Sequence, residues 1–551
     1  MKPIQPTCWG TGYLLLLLLL SPSAWSASAE TFYVRGDGGL ASQCNGRANA
    51  AYPGSGTNRN CAWKHPFIAL PPGGSPRIRG GDTLVIESGS YRMGYGAPGA
   101  SNCGQTWSWD CVMPPVPSGP SASQRTRILG AGHDTGCGNP PELWGTERAK
   151  TIISLEGSSN VELSCLELTD RDSCIEFHCH NGQCNGEVDA CKRNSAPFGN
   201  WAGSGIFASA SSNVALRDID VHGMANRGIH AGGLTDWTME RVRIVANGWA
   251  GWDGDIGNGS SNSGAMLFID SEIAWNGCAE RWPSEEKFGC WAQGGGGYGD
   301  GLGTAETAGH WIFERSTVRY NTSDGIDLLY LRNGGQVTIR RTLVESNAGN
   351  QVKVSRSALI ENSMVVGNCG FFHGQGNMLN SDHCRALGDT VSVGLSNDAQ
   401  TDLINNTIIG QGNCVISGGG GATSSRIRFI NNLVIATPYW HDPAKHSCLY
   451  YSGASEQVVW DRNYIHQPRN NVCPGDSLCN GSPGIVDGSI VSFDARPVET
   501  SLLVGAADAQ LAPPEDFLGN TRSTSGGPDI GAIEYQGLTN PPEPLFTNGF
   551  E

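Results

Sequence analysis

Asn321-Thr322-Ser323-Asp324-Gly325-Ile326-Asp327-Leu328 carries one copy of a short pattern that runs through the middle of the chain. A small or charged residue is followed by Gly or a polar residue, then an apolar residue, then a position that points outward. Further copies are Ser204-Gly205-Ile206-Phe207, Arg227-Gly228-Ile229-His230, Gly251-Trp252-Asp253, Asp300-Gly301-Leu302-Gly303 and Asn350-Gln351-Val352-Lys353. The apolar members Ile206, Ile229, Trp252, Leu302, Ile326 and Val352 are spaced by 23, 23, 50, 24 and 26 residues. A period in the low twenties with strand-like alternation marks a stacked β-solenoid.

A second strand is expected in each coil. Val214/Leu216, Trp237/Met239, Met266/Phe268, Trp311/Phe313 and Val337/Ile339 alternate apolar with polar residues, the period-two signature of strands with one buried face. Asn recurs at the following turns, at Asn247, Asn276, Asn321, Asn347 and Asn368. Asn tolerates left-handed backbone and hydrogen-bonds locally. These spacings leave no room for the helices of a doubly wound α/β fold. The fold class is therefore all-β, a right-handed parallel β-helix, with handedness set by the preference of parallel crossovers.

The organisation follows: a secretory signal over 1–29, an N-terminal cap with first strands over 30–148, the β-helix core over 149–449, a C-terminal segment packing on it over 450–537, and a linker and short tail over 538–551. Insertions at 171–203 and 279–298 interrupt the core; the second accounts for much of the 50-residue gap. In the signal, Lys2 supplies charge, Leu14 to Leu20 the apolar core, and Ala27-Ser28-Ala29 the cleavage site. That core is too short to span a bilayer, and no later transmembrane segment is expected. A secreted or periplasmic protein follows, with the cell surface as a further location; the closing Leu545-Phe546-Thr547-Asn548-Gly549-Phe550-Glu551 resembles short sorting tails.

Without the signal, 18 of the 19 cysteines remain, an even number that favours disulfides in an exported chain. Cys44/Cys61, Cys103/Cys111, Cys278/Cys290, Cys369/Cys384 and Cys473/Cys479 are close enough to close surface loops. Cys174, Cys179, Cys184 and Cys191 with His178 and His180 have the make-up of a zinc cluster, but an oxidising compartment favours disulfides there too. The formal net charge of −16 argues against nucleic acid as a partner. An acidic polymer would also be repelled unless a bound cation reversed the local field.

The repeat also says which side chains share a column. With Ile326 and Val352 inward, Asp327 and Lys353 point outward one coil apart, and His230 and Asp253 extend that column. A second column holds Ser204, Arg227, Ala250, Asp300, Asp324 and Asn350. Asp300, Asp324 and Asp327 are thus expected together, with Lys353 beside them. Three close carboxylates repel; a bound cation relieves that, and oxygen-only ligands suit calcium. One Asp-Gly is ordinarily only a turn; two stacked copies, a third Asp and a Lys on the next coil point to chemistry. Beside a dication the pKa of Lys353 is expected to fall from about 10.4, and a neutral amine can then remove a proton.

This constellation, Gly299-Asp300-Gly301, then Asn321 to Leu328, then Gly349 to Lys353, resembles the site of family-nine pectate lyases, within the pectate lyase superfamily of parallel β-helices. The likeness covers about 55 residues, and Ser323 stands where that family's motif has a further aspartate. The resemblance implies Asp300, Asp324 and Asp327 as calcium ligands and Lys353 as the base in β-elimination on an acidic polysaccharide. Arg227, His230, Asp253 and Arg341 are candidates for substrate contact, with Arg332, Arg340 and Arg356 nearby; Arg340 and Arg341 are adjacent, so at most one faces the site. Trp249, Trp252, Trp291 and Tyr298 offer aromatic faces, with Trp252 expected in the core. Two alternatives stay open: glycoside hydrolysis by paired aspartates, and a non-catalytic carbohydrate-binding or surface protein. A monomer is expected.

Overall fold

A computed structural model describes residues 28–537, apart from 105–107, 177–188, 257–260, 292–297, 333, 377, 381, 397 and 453–456. Most of the expected signal, the tail, and Cys179, Cys184, His178 and His180 lie outside the described residues.

The chain coils into a parallel β-helix. One wall is a ten-stranded parallel sheet running from Ala149–Ser154 through Ala202–Ser209, Arg227–Gly232, Ala250–Asp253, Leu302–Gly303, Ile326–Leu328 and Val352–Ser355 to Cys448–Ser452. Its register pairs Ile206 with Ile229, Ile229 with Trp252, Trp252 with Leu302, Leu302 with Ile326 and Ile326 with Val352. All six are fully buried, so the repeat alignment holds even across the 50-residue gap. The intervening insertion leaves the ladder intact because it is extruded between rungs.

A 23-stranded sheet forms the remaining walls. Strands Ser159–Thr169 and Ser212–His222 span both; later coils divide there into pairs such as Thr235–Glu240 and Arg243–Val245. The corner residue has left-handed backbone in coil after coil: Arg241 (φ 52°), Asp270 (φ 49°), Arg315 (φ 48°) and Arg341 (φ 48°). Inside, Trp237, Trp252, Phe268, Trp311 and Phe313 are fully buried. Phe268 stacks on Phe313 at 4.9 Å, and Trp252 meets Trp311 edge-on at 6.1 Å. Burial of each such ring contributes about 2–3 kcal/mol.

The Asn turns form a buried ladder. Nδ2 of Asn247 donates to Oδ1 of Asn276 (3.0 Å), Asn276 to Asn321 (2.8 Å), Asn321 to Asn347 (2.7 Å), and Asn347 to Oε1 of Gln351 (2.9 Å). Each Asn also bonds backbone groups that a turn would otherwise leave unsatisfied. This ladder explains the Gly of the Asp-Gly repeats. A Cβ on Gly325 would lie 2.6 Å from Nδ2 of Asn347, and one on Gly301 2.7 Å from Nδ2 of Asn321. The turn thus delivers the following Asp to the outer wall from a fixed height. Asn368 does not join this ladder; its Oδ1 pairs with Gln411 instead.

The domain boundary needs correction at the C-terminal end. Stacking begins within the segment expected to hold the cap and first strands, with Thr31–Gly39 on Thr83–Ile86. It ends with Gln457–Asp461 and Tyr464–His466, beyond 449. The C-terminal segment packs Phe493, Leu503, Ile530 and Ile533 against Leu343, Met364, Ile409 and Leu433 on the helix flank. Among the described residues all five expected disulfides form, with Cys137–Cys165, Cys174–Cys191 and Cys414–Cys448 besides. Eight disulfides fit an oxidising compartment. No helix among the described residues is long and apolar enough to cross a membrane.

Candidate functional site

On the outer face of the ten-stranded wall, the ladder pairs Phe207 with His230, His230 with Asp253, Asp253 with Gly303, Gly303 with Asp327 and Asp327 with Lys353. This is the outward column read from the repeat. The turn before the strand adds Asp300 and, one coil on, Asp324, 3 % and 5 % exposed. One carboxylate oxygen from each of Asp300, Asp324 and Asp327 lies within 4.8 Å of the others. Nζ of Lys353 donates to Oδ2 of Asp324 at 2.9 Å and to Oδ2 of Asp327 at 2.7 Å.

The rest of the cluster is held by the backbone. Oδ1 of Asp324 accepts from the backbone N–H of Asn350 (2.7 Å) and from its Nδ2 (3.0 Å). Oδ1 of Asp327 accepts from the Leu329 N–H at 3.1 Å, and Oδ1 of Asp300 from the Asp324 N–H at 3.1 Å. Two glycines leave the carboxylates room. A Cβ at Gly349 would stand 2.3 Å from Oδ1 of Asp324, and one at Gly303 2.8 Å from Oδ2 of Asp300.

One ammonium is shared by three carboxylates, and the proton affinities record the shortfall. Burial, then the charges of Asp324 and Asp327, push Asp300 up to about 7. Burial and Asp324 also raise Asp327, in spite of Lys353. Burial alone would lower Lys353, but Asp324 and Asp327 outweigh it and its pKa rises. That is opposite to the fall expected of a base. Among the protein's own groups Lys353 holds its proton tightly, so a fall requires positive charge from elsewhere. The donor set, oxygen-only and in excess of its counter-charge, fits a hard dication.

Arg227 and His230 do lie on this face, three rungs from Asp327 for His230, or about 14 Å at ~4.8 Å per rung. Arg227 ion-pairs with Asp253 and lies over Trp249, its guanidinium 5.2 Å from the ring centroid. Nε2 of His230 lies 3.1 Å from the Asp255 carbonyl. They border a cavity of about 560 Å³, also lined by Trp109, Arg148, Lys150, Trp201 and Phe207. It opens on the same wall as the acidic cluster, towards the N-terminal coils.

Arg341 is not brought to the site. It occupies the corner of the other sheet, where Nη1 bonds Glu515 at 3.0 Å and Nε donates to the Phe517 carbonyl. The corner turn points it at the C-terminal segment, so the expectation of substrate contact is withdrawn. Arg340 bonds Glu361 on that same sheet, Arg332 pairs with Glu306, and Arg356 donates to the Leu331 carbonyl and to Ser396. Trp252 is in the core as expected; Trp291 and Tyr298 are also buried, and Trp249 is half-buried against Tyr298.

Sequence reading missed one residue at the cluster. Nη1 of Arg385 donates to Oγ of Ser323 at 2.7 Å. Arg385 directly follows a disulfide-closed loop, 62 residues away from Ser323 and outside the repeat, so no periodic signal marks it. The placement of Asn350 in the second column did signal its contact with Asp324.

A family model described as right handed beta helix region matches residues 204–386, in agreement with the handedness expected from the crossovers. Among solved structures the fold resembles pectate lyase Pel9A, with 13% identity over 93% of this chain and 97% of that one and a TM-score of 0.43. It also resembles a rhamnogalacturonan lyase (12% identity, 93% and 97% covered, TM-score 0.38) and XylC in complex with xylose (9% identity, 92% and 98% covered, TM-score 0.41). No curated protein sequence matches the chain. At such identity and overlap these likenesses assign no chemistry to it.

Proposed function

We propose that this protein is a secreted polysaccharide lyase that cleaves a uronic-acid-containing polymer by calcium-assisted β-elimination, with Lys353 as base. The observation that carries the reading is the amine of Lys353 held at 2.9 and 2.7 Å by two members of an acidic trio on an open wall. Asp300, Asp324 and Asp327 would hold the calcium. When bound, it supplies positive charge that offsets the substrate carboxylate, acidifies the neighbouring C5 proton and favours the neutral amine.

Lys353 then takes the C5 proton. The electron pair of the C5–H bond forms the C4–C5 double bond, and the 4-linked glycosidic oxygen departs with its bonding pair, protonated from water. Asp324 and Asp327 fix the height and direction of the amine, and the backbone contacts of Asn350 and Leu329 keep those carboxylates in place. Arg227 and His230 border the aromatic and basic cavity on the same wall, which would receive the polymer further along the helix.

The test is a panel of pectate, alginate, glycosaminoglycans and bacterial exopolysaccharides with calcium, read by ultraviolet absorption of the unsaturated product. Activity lost in chelator and restored by calcium supports the reading. Activity unchanged in Lys353→Ala refutes it. A second reading, glycoside hydrolysis, is favoured by one observation: Asp300, pushed up to about 7, lies beside two further carboxylates and so has the make-up of a general acid. Hydrolysis yields reducing ends without the ultraviolet signal.

A further inference from the structure

The acidic cluster is approached by a second cation from outside the repeat. Ser323 is buried; its hydroxyl accepts from Nη1 of Arg385 at 2.7 Å, and its polarity helps lower the proton affinity of Asp300 on the preceding coil. A hydroxyl that accepts a hydrogen bond keeps its own proton to offer a neighbouring acceptor. A guanidinium keeps its charge at any ordinary pH.

Nothing about Arg385 is loosely placed. Cys384, the preceding residue, is bonded to Cys369, and both are buried. The N–H of Arg385 donates to the carbonyl of Ala348, just before the Gly349-Asn350 turn that holds Asp324. Nη1 also approaches the carbonyl of Tyr298 at 3.5 Å, at the end of the 279–298 insertion. That insertion and the loop closed by Cys369–Cys384 pair through Cys290–Trp291 and Met378–Asn380. Trp275, Tyr320 and Phe372 pack together beneath them. The loop thus carries a fixed positive charge to the edge of the site.

We infer that Arg385, anchored on Ser323 beside the cluster, lowers the affinity of the carboxylate trio for a divalent cation, so that the ion is held firmly only together with an anionic substrate. This rests on the calcium part of the proposed function. A unit positive charge one hydroxyl away repels a dication across a partly buried site, where charges are poorly screened. A substrate carboxylate supplies the missing negative charge, and the coupling is reciprocal: cation and polymer each raise the other's affinity.

Calcium titration of the full mature chain by calorimetry, in the absence of sugar, tests this. Arg385→Gln keeps a hydrogen-bond donor and removes the charge; Arg385→Lys keeps the charge and loses the fork. The expected result is calcium binding about tenfold tighter in Arg385→Gln and within about twofold of wild type in Arg385→Lys. Thermal melting and circular dichroism check that each variant is folded. If Arg385→Gln fails to fold, Ser323→Ala, which removes the acceptor that holds Nη1 beside the trio without touching the loop, is titrated instead and is expected to bind calcium more tightly. Wild-type binding with Arg385→Gln unchanged or weaker overturns the inference and leaves the calcium site standing. No calcium binding by wild type or any variant at millimolar ion overturns both. Binding only by Arg385→Gln sustains the inference.

Discussion

Two buried clusters of opposite charges sit on this helix, and they are built on different balances. In one, Lys353 pairs with Asp324 and Asp327, and Asp300 lies beside those two carboxylates. In the other, Glu280 from the 279–298 insertion lies between two cations: Nδ1 of His222 at 2.7 Å and Nζ of Lys287 at 2.6 Å, with Glu167 3.3 Å from the far ring nitrogen. The proton affinities separate them. Burial opposes the charge on Glu280, but His222 and Lys287 prevail and its pKa is lowered. Burial likewise opposes the charge on His222, but Glu167 and Glu280 carry it up to about 10. At the first cluster, by contrast, Asp300 is pushed up to about 7 because carboxylates outnumber the ammonium. The paired cluster satisfies itself and ties the insertion to the C-terminal end of strand Ser212–His222. The unpaired one leaves negative charge for something else to meet.

The largest expected effect breaks the unpaired cluster at its one amine. On any polymer that the wild type cleaves, Lys353→Ala should lose about a thousandfold or more in kcat, the scale of a positioned proton-transfer group. Lys353→Arg, too basic to act as base, should not rescue it. A residual rate within tenfold of wild type would show that the amine is a tether for the carboxylates.

Removing one carboxylate from each cluster should give opposite results for stability. Glu280→Gln takes the counter-charge from Lys287 and one of two from the buried His222, and should cost about 3 kcal/mol. Asp300→Asn keeps the oxygen that accepts from the Asp324 N–H and removes one repelling charge, so without calcium it should be neutral or stabilising by up to about 1 kcal/mol. Urea denaturation midpoints in chelator compare the two. Equal losses would mean that both clusters serve stability and that the distinction is false.

Acidity gives a smaller contrast confined to the paired cluster. The folded pKa of His222, about 10, lies above its unfolded value near 6.5. Between these values the folded protein keeps a proton that the unfolded chain sheds. The contribution is therefore complete below pH 6.5 and declines as pH rises toward 10. Melting temperatures of wild type and His222→Asn, followed from pH 6 to pH 10, should converge as pH rises. Parallel curves would show a neutral His222.

What could be read from the residues divides along the same line. The acid column was legible because each member sits at a fixed offset from a buried Ile, Leu or Val, and a parallel ladder carries that offset from coil to coil. The Asn ladder was half legible: the residues recur, but their side-chain chain into Gln351 depends on turn geometry that the period does not encode. His222, Glu280 and Arg385 were not legible as partners. Glu280 sits in an insertion and Arg385 just after a disulfide-closed loop, where no repeat ties sequence distance to spatial distance. The first coils are irregular in length, so stacking from Thr31 onward left no constant spacing by which to divide cap from strands.

Arg341 gives the smallest effect and checks the correction of its role. It stands at a left-handed corner whose side chain leaves the wall, and its partner Glu515 is largely exposed, so the ion pair should contribute no more than about 1 kcal/mol. The seam itself does not depend on it. Arg522 bonds both Glu534 and Asn362, all three buried, and the Phe493, Leu503 and Ile530 contacts remain. Arg341→Ala should therefore lower the denaturation midpoint only slightly and leave kcat and KM unchanged, because its guanidinium is committed to the C-terminal segment rather than to the wall that bears Asp327 and Lys353. A rise in KM without loss of stability would return Arg341 to the substrate path and would mean that the polymer reaches round the corner of the helix.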